Sequence, residues 1–409
     1  MTAFETLMET KAYRRQIKRR VQGVLHHFAA VVPKALRTLC RVELQALGFS
    51  ETELSEAGVE FTGNLTDGYL ANLHLRTASR ILCRVHEFRA GAVEELHSRV
   101  SRFPWELWIN HAVPLRTQCY VTHSRIRHEA LVKKALVGGI QARFTSLAVP
   151  PPREERPETD NPGEGGEVAN LKQRVLVHIR ENRCRISLDT TGAHLHERGY
   201  RLRHAGAPLR ETLAAAILLK CSWSGSTPLV DGMTGSGTIA IEAALISGRH
   251  APGLRRSFLF QRWPSFKREA WNHLCRRAMA QARERVPSPI LALDRSPECL
   301  ATARENARRV GLGESIRWVH GDFLCWTPAA DGVQPGLVVL NPPYGKRLGH
   351  WDRGLFESIG RHLRRHYEGW SAAVLTPDER LATALGLQGA KIWRIRHGGL
   401  PVLVMLAHL

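Results

Sequence analysis

The chain has 409 residues, with 58 lysines and arginines against 38 aspartates and glutamates, and its net charge is +20. At 43% hydrophobic and 23% charged residues, the composition is that of a folded globular protein and excludes disordered and fibrous classes. The length predicts two or three domains, and the excess positive charge on a folded surface indicates nucleic acid as a partner.

The compartment and the absence of a metal are predicted from simple patterns. The eight cysteines include no C-x-x-C pair, which argues against a zinc knuckle and for a reducing compartment. The basic N-terminus lacks the apolar core of a signal peptide, and no apolar run approaches the ~20 residues that a membrane span needs. We therefore expect a cytoplasmic protein with no metal and no membrane partner.

The first part of the chain predicts a small α+β domain. Residues 1–30 hold six basic residues and no clear apolar stripe, which favours a solvated helical or frayed arm over a dedicated RNA-binding arm. Helical spacing runs from Pro33 to Leu47, and a second helical stretch covers Tyr69–Ser79 before the strand-like Ile81–Val85. Mixed elements of this kind are typical of an α+β domain.

A loop and a hairpin close this first domain. The segment Val149–Val168 is dense in proline, glycine and acids, which predicts a flexible loop over residues 150–168. Two alternating stretches, Arg174–Ile179 and Arg183–Asp189, are separated by three residues and predict a β-hairpin. We place the first domain at residues 31–195 and the second at 196–409.

The second domain has a different pattern, in which short apolar strands alternate with helices. This order predicts a doubly wound parallel sheet whose ligands bind beyond the carboxyl ends of the strands. A terminal antiparallel hairpin, Lys391–Arg396 with Pro401–Leu406, replaces a last crossover. The predicted strands are Pro228–Asp231, Ile290–Asp294, Ile316–Val319, Leu337–Leu340 and Ala372–Leu375.

Three of these strands are each followed by, or end in, an acidic residue. Asp231 precedes a loop with Gly235 and Gly237, Asp294 ends the next strand, and Asp322 follows the third. The loop lacks the Gly-Lys-Ser/Thr of a P-loop, so a polyphosphate is not expected. Any one of these acids is more often a helix cap, but three at equivalent positions predict a nucleoside pocket.

The fourth strand is followed by Asn341-Pro342-Pro343-Tyr344. Two prolines fix an extended backbone and remove two N–H donors. The Asn341 side-chain oxygen and the Pro342 carbonyl can accept both hydrogens of an exocyclic amine while Tyr344 stacks on its ring. The alternative is a strand-end turn with a surface tyrosine; the order of strand, glycine loop and motif favours an amine-methylating site.

With these motifs the sequence resembles class I S-adenosylmethionine-dependent amino-methyltransferases. The segments Leu188–Gly192, His196–Arg201 and Ala207–Ala215 narrow the resemblance to RNA methyltransferases with an N-terminal THUMP domain, especially the bacterial 23S rRNA guanine-N2-methyltransferase family. The similarity extends over about residues 30–409. It implies an α/β architecture in which a ferredoxin-like and THUMP RNA-binding domain precedes a Rossmann-like methyltransferase domain.

The resemblance also implies roles for individual residues. The implied cofactor is S-adenosylmethionine, and the implied catalytic residues are Asn341, Pro342 and Tyr344. Two departures stand out, because this chain has Gly232 and Thr234 where the family usually has proline and cysteine, and its second acidic tip lacks the second aspartate of Asp-x-Asp. The residues implied to bind the cofactor are Asp231, Gly235 and Gly237 on the methionine side, Asp294 at the ribose, Asp322 at the adenine, and Thr212.

A basic segment between the first two strands of the second domain predicts RNA contacts. Residues 249–285 hold ten basic and two acidic residues, with five aromatic residues interleaved. The arginines could contact phosphates and the aromatic rings could stack unpaired bases; alternatively, the aromatic residues pack inside the protein. The residues we expect to bind RNA are Arg255, Arg256, Arg262, Lys267 and Arg268.

The predicted function is therefore methyl transfer to the exocyclic N2 of a guanine in structured RNA, with rRNA favoured over tRNA, by a monomer. The alternatives are a tRNA guanine-N2-methyltransferase of the same architecture, an adenine-N6 nucleic-acid methyltransferase, a protein-glutamine methyltransferase and a non-catalytic RNA-binding assembly factor. The charge of +20 argues against a protein substrate, and the intact glycine loop argues against a non-catalytic factor.

Overall fold

A computed structural model describes residues 3–155, 172–201, 209–343 and 353–409. Within these ranges the strands form two sheets of seven strands each. In the first half of the chain the strands are β1 His26–Val31, β2 Thr52–Leu54, β3 Gly58–Gly63, β4 Arg80–Arg89, β5 Leu115–Thr122, β6 Gln173–Arg180 and β7 Arg183–Asp189, and the helices are α1 Ala3–Glu9, α2 Lys11–Ile17, α3 Arg37–Ala46, α4 Leu65–His74, α5 Val93–Arg102 and α6 Glu129–Ser146.

The second half contributes the other sheet and its helices. Its strands are β8 Leu229–Asp231, β9 Ile290–Asp294, β10 Arg317–His320, β11 Leu337–Leu340, β12 Ser371–Thr376, β13 Lys391–His397 and β14 Leu400–His408, and its helices are α7 Glu211–Lys220, α8 Thr238–Ser247, α9 Arg268–Gln281, α10 Pro297–Arg309, α11 Arg353–His366 and α12 Glu379–Ala384. Among the helices of the described ranges, none has the length and apolar character that a membrane crossing requires.

The N-terminal segment differs from the predicted arm. Its side chains Phe4, Tyr13, Ile17 and Val21 are buried in the core of the first domain, and β1 already begins at His26, four residues before the predicted end of the arm. The last three of these buried residues are four positions apart, so they share one face of a helical segment. The segment is therefore part of the first domain.

The first sheet has the strand order β2-β3-β1-β4-β7-β6-β5 and is antiparallel except between β5 and β6. The long strand β4 pairs with β1 on one side and with β7 on the other, so it joins two smaller units into one sheet. Of the predicted flexible loop, residues 156–168 lie outside the described ranges. Its start is ordered, since the amide of Leu115 donates to the Arg153 carbonyl at 2.8 Å.

The second sheet has the order β10-β9-β8-β11-β12-β14-β13. All its neighbours are parallel except at β14, which runs antiparallel to both β12 and β13. The predicted doubly wound sheet with a terminal hairpin is confirmed. Because parallel strands joined by crossover helices end at one edge, the polar residues after β8, β9, β10 and β11 meet there.

The segment between α8 and β9 packs onto the first domain. Phe258, Phe260, Trp263 and Trp271 are buried within the hydrophobic core of that domain, and the Phe260 ring stacks on Tyr69 with centroids 4.2 Å apart. The sequence left two alternatives for these aromatic residues, and for these four rings the structure shows packing inside the protein instead of stacking on RNA bases. Large aromatic surfaces gain more from burial than from exposure, and here the first domain supplies the cover.

Buried ion pairs and hydrogen bonds also join the two domains. Arg76, which precedes β4, donates to the Leu245 carbonyl at 3.2 Å and to the His250 carbonyl at 2.7 Å. Arg198 donates to the Arg76 carbonyl at 2.7 Å and lies 3.4 Å from the Glu242 carboxylate on α8. These bonds satisfy charges that would be costly to bury alone, and they fix the first domain against the helix that begins at the glycine loop.

Candidate functional site

The site lies at the carboxyl edge of the second sheet, where a tight turn leads from β8 into α8. Gly235 has φ +54° and Gly237 has φ +83°, values that side chains with a Cβ rarely adopt. A Cβ at Gly235 would meet no atom within 4 Å, so the space above this residue is open. The turn is tied to the neighbouring strand because the amide of Thr234 donates to the Leu293 carbonyl at 2.9 Å.

Asp231, at the end of β8, is fully buried. Its Oδ2 accepts from the Thr234 hydroxyl at 2.6 Å and from the Ala240 amide at 3.1 Å. Its Oδ1 has no hydrogen-bond partner among the described residues. Burial is the main reason that the pKa of Asp231 is raised to about 7, while the bonds from Thr234 and Ala240 lower it. This residue therefore presents an unused acceptor beside the glycine turn.

The other two predicted acids have local structural partners. Asp294 Oδ2 accepts from the Gly235 amide at 2.8 Å, and its Oδ1 accepts from the Ser296 amide at 2.9 Å. Asp294 thus connects the ends of β8 and β9 as well as standing at the edge of the site. Asp322 is exposed, and its Oδ1 accepts from the Leu324 amide at 2.9 Å, an arrangement typical of a turn cap.

Gly232 and Thr234, the two loop residues that depart from the family pattern, have a visible packing context. A Cβ on Gly232 would lie 2.4 Å from a ring carbon of Phe323 and 2.5 Å from a methyl group of Leu340. Phe323 is itself buried beneath the turn. A larger residue at position 232 thus requires this ring to move, while Thr234 supplies a hydroxyl that binds Asp231. Gly232 and Thr234 are therefore both compatible with the packing and the hydrogen bonds of this turn.

Asn341 follows β11 directly, beside the glycine turn. The Gly232 amide donates to the Val339 carbonyl at 3.2 Å, and Val339 is also paired with Asp231 across the sheet. Asn341 Oδ1 is buried and accepts no hydrogen bond from any part of the chain that the structure describes. Pro342 is buried next to it. Tyr344, the predicted stacking residue, lies outside the described residues.

An arginine that the sequence did not reveal as functional, Arg201, links the domain connection to this site. Arg201 donates to the Thr238 hydroxyl at 2.8 Å and lies 3.3 Å from the Glu211 carboxylate. Burial raises the pKa of Glu211 to about 7. Thr212, the remaining predicted cofactor residue, is half-buried in the first turn of α7. Arg201 lies ten positions before Glu211, and no local pattern in the sequence marks a pair this far apart.

The predicted RNA-binding residues fall into two groups. Arg255, Arg262 and Arg268 are exposed and Lys267 is half-buried. Arg256 instead donates to the carbonyls of three residues that follow β7, and burial lowers its pKa to about 10. Because these carbonyls occupy its guanidinium, Arg256 is not available for a phosphate, and we no longer expect it to contact RNA. Its three acceptors are Ala193, His194 and Glu197.

The donor set at the edge of the sheet fits a cationic nucleoside better than a metal ion. Asp231 offers a buried unpartnered oxygen, and Gly235 leaves open space. Among the residues of the described ranges, no cluster of three or more His, Cys, Asp or Glu side chains is arranged to hold a metal ion. The acids, the open glycine turn and the Asn341 oxygen together can hold a positively charged ligand next to an amine.

Two family models match the chain. The model described as an RMKL-like methyltransferase domain matches residues 198–403, and that described as an RlmL ferredoxin-like domain matches residues 27–82. Among curated relatives, the "Ribosomal RNA large subunit methyltransferase K/L" of Syntrophotalea carbinolica is 37% identical over 391 residues, which are 91% of this chain and 52% of that protein. The "Putative RNA methyltransferase slr0064" of Synechocystis is 32% identical over 385 residues, which are 91% of this chain and 94% of that protein.

Solved structures give the same fold. The structure described as "SMU.472, a putative methyltransferase complexed with SAH" is 26% identical, with a TM-score of 0.79, and the match covers 94% of this chain and 98% of that one. A predicted N6-adenine-specific DNA methylase from Listeria monocytogenes is 27% identical, with a TM-score of 0.78 over 98% of this chain and 99% of that one. The chain spans about half the length of the K/L relatives that it matches.

Proposed function

Because the chain belongs to the RMKL-like methyltransferase family, we propose that it transfers a methyl group from S-adenosylmethionine to the exocyclic N2 of a guanine in large-subunit rRNA. The relatives named as large-subunit rRNA methyltransferases and the net charge of +20 support this RNA as the substrate. With this substrate, the protein acts in the cytoplasm. The segment that follows the ferredoxin-like unit of residues 27–82 acts as a THUMP-type RNA-binding module.

The observation that carries the proposal is the Asn341 side chain. Its Oδ1 is buried without a hydrogen-bond partner in the described ranges, and a buried acceptor left unpaired is costly, by roughly 1–3 kcal/mol. An N–H of the target amine satisfies it. The Pro342 carbonyl, in a stretch that two prolines deprive of donors, accepts the second N–H. The two acceptors thereby orient the nitrogen lone pair away from the protein backbone.

S-adenosylmethionine, when bound, supplies an electrophilic methyl group on a sulfonium. Asp231, whose buried Oδ1 has no hydrogen-bond partner among the described residues, holds the cationic methionine end, while Gly235 gives the ligand close access to the backbone. Asp294 and Asp322 face its ribose and adenine. With the cofactor in place, the sulfonium would serve as methyl donor and the neutral thioether as leaving group, while Asn341 and the Pro342 carbonyl hold the amine, whose surplus proton goes to solvent. Positioning supplies most of the rate enhancement.

The decisive variant is Asn341→Ala, measured for both cofactor affinity and methyl transfer. We expect transfer to rRNA to fall by at least ~100-fold, because the amine loses its orienting acceptor, while S-adenosylmethionine affinity by calorimetry stays near that of the unaltered protein. Asn341→Asp is the matched control, since it keeps an acceptor oxygen and retains more transfer than the alanine variant. Equal loss of cofactor affinity and transfer in Asn341→Ala contradicts the role of Asn341.

One observation favours a second candidate. The Listeria structure, 27% identical over nearly the whole chain, is described as a predicted N6-adenine-specific DNA methylase, and the Asn341 and Pro342 acceptors suit the N6 amine of adenine equally well. The modified nucleoside distinguishes the two: N2-methylguanosine in RNA supports the first proposal, and N6-methyladenosine supports the second.

A further inference from the structure

The segment of residues 257–272, whose buried rings pack into the core of the first domain, contains a cleft with a volume of about 320 Å³. The cleft is lined by the half-buried Phe266 and the buried Trp271, and also by Arg262 and Arg268, whose exposed side chains form its rim. This volume lies near the lower end of the ~300–1,000 Å³ typical of small-ligand pockets. The cleft accommodates one nucleotide, whereas a duplex is far too wide for it.

The rim arginines are available for a ligand. Arg262 and Arg268 are exposed, and within the described part of the chain neither side chain forms an ion pair or a hydrogen bond. In contrast, Arg255 donates to the Arg309 carbonyl at 3.0 Å, and Arg256 is bound to three carbonyls. Two unpaired guanidinium groups beside one cleft are a phosphate-binding arrangement.

The walls offer groups that recognise a base. The half-buried Phe266 provides apolar aromatic surface, and the exposed amide side chain of Asn272 lies at the same cleft. Gln261 uses its Oε1 to accept from the Phe258 amide at 2.7 Å, which holds this wall residue in place. Aromatic surface, an amide and two phosphate-binding arginines are the combination that single-stranded nucleic acid requires.

The cleft is held rigidly because its inner side is built into the first domain. Trp263 Nε1 donates to Gln173 Oε1 at 2.7 Å, the Phe260 amide donates to the Thr190 carbonyl at 3.0 Å, and the Lys267 amide lies 3.3 Å from the Tyr69 hydroxyl. A site on a fixed scaffold loses less conformational entropy when it binds.

We propose that this cleft binds one unpaired nucleotide of the substrate RNA, with its phosphate at Arg262 and Arg268 and its base against the half-buried ring of Phe266. The inference rests on the proposed action on RNA and adds a second anchoring point away from the glycine turn. Such an anchor offsets part of the cost of about a few kcal/mol for taking the target base out of its stack.

The test compares two double variants that remove the same charge from one segment. Arg262→Ala/Arg268→Ala alters the rim, whereas Arg276→Ala/Arg277→Ala alters two exposed arginines of α9 that do not line the cleft. Binding of protein-free large-subunit rRNA is measured by fluorescence anisotropy over a range of salt concentrations. Each phosphate contact adds about 0.7 to 0.9 to the slope of log affinity against log salt. We therefore expect the slope of the rim variant to be smaller by about 1.4 to 1.8, and its affinity to fall by at least about tenfold. The control variant should lose much less of both.

Equal losses in the two variants overturn the proposal, because they assign the effect to overall charge. Photocrosslinking with a single-stranded RNA that contains 4-thiouridine gives an independent result: a crosslink at Phe266 or Asn272 supports the cleft, and crosslinks confined to other segments contradict it. Competition by poly-glutamate as strong as that by RNA also contradicts it, since it indicates an acidic protein partner.

Failure of the inference and failure of the proposed function give different results. If the unaltered protein methylates rRNA and the rim variant binds it as well as the unaltered protein does, the cleft is wrong and the function stands. If the unaltered protein binds rRNA through the cleft and transfers no methyl group to any nucleic acid, the function is wrong. Thermal unfolding of both double variants checks that the fold is intact.

Discussion

Replacing Asp231 by asparagine should make the protein more stable at alkaline pH while weakening the cofactor site. Burial raises the pKa of Asp231 from the 3.8 of an unperturbed aspartate to about 7. The folded protein therefore holds this proton more tightly than the unfolded chain does. The free energy of unfolding must fall as the pH rises from about 4 towards and past 7, because the unfolded chain ionises first.

The size of the effect follows from this pKa difference. Each tenfold change in proton affinity is worth ~1.4 kcal/mol, so a difference of about three corresponds to ~4 kcal/mol at high pH. Between pH 5 and pH 8 the ionisation of Asp231 lowers the free energy of unfolding by ~3 kcal/mol. Asparagine does not ionise, and its side-chain oxygen can still accept from the Thr234 hydroxyl and the Ala240 amide.

Thermal unfolding at pH 5, 6.5 and 8 measures this prediction. For a domain of this size ~3 kcal/mol corresponds to roughly 6–12 °C, so the unfolding temperature of Asp231→Asn should rise by that amount relative to the unaltered protein between pH 5 and pH 8. Asp322→Asn is the matched control at an exposed carboxylate. A difference between Asp231→Asn and the unaltered protein that stays constant over this pH range refutes the burial argument.

Four further variants test the packing of the site and of the domain interface. Gly232→Ala should destabilise the fold by about 1–3 kcal/mol, because the added Cβ meets the buried ring of Phe323. Gly235→Ala places its Cβ in open space and costs only about 1 kcal/mol of backbone strain. Denaturant unfolding compares the two variants. Thr234→Val removes a hydrogen bond that lowers the pKa of Asp231, so the pH-dependent loss of stability should shift to higher pH, and an unchanged profile contradicts this. Trp263→Phe leaves a buried glutamine oxygen unpaired at about 1–3 kcal/mol, visible as faster proteolysis between the domains.

The residues that end the strands of the second sheet were predictable because their signals are local. An apolar run that ends in an acid or in Asn341 shows its own boundary, and the confirmed parallel sheet then brings these ends to one edge. What the sequence does not show is how each carboxylate is used. Asp294 binds the Gly235 amide, a contact between residues 59 positions apart, and such a contact depends on the packing of two strands.

The interface between the domains was the part that sequence reasoning could not place. The buried rings of Phe258 and Trp263 are chemically suited to stack on bases or to fill a core, and only the position of the first domain decides between the two. The N-terminal segment is a different case, because Tyr13, Ile17 and Val21 are spaced by four residues. That spacing predicts a helix with one buried face. The six basic residues in the same segment suggested instead that the whole segment is exposed to solvent.

Identifying the methylated nucleoside tests directly whether the protein transfers a methyl group to guanine N2 in large-subunit rRNA. The protein is incubated with protein-free large-subunit rRNA and S-adenosylmethionine that carries a deuterated methyl group, and the RNA is digested and separated by liquid chromatography with mass spectrometry. We expect deuterated N2-methylguanosine, which disappears in Asn341→Ala. Labelled N6-methyladenosine, or rRNA without label, contradicts the proposed methylation of guanine N2.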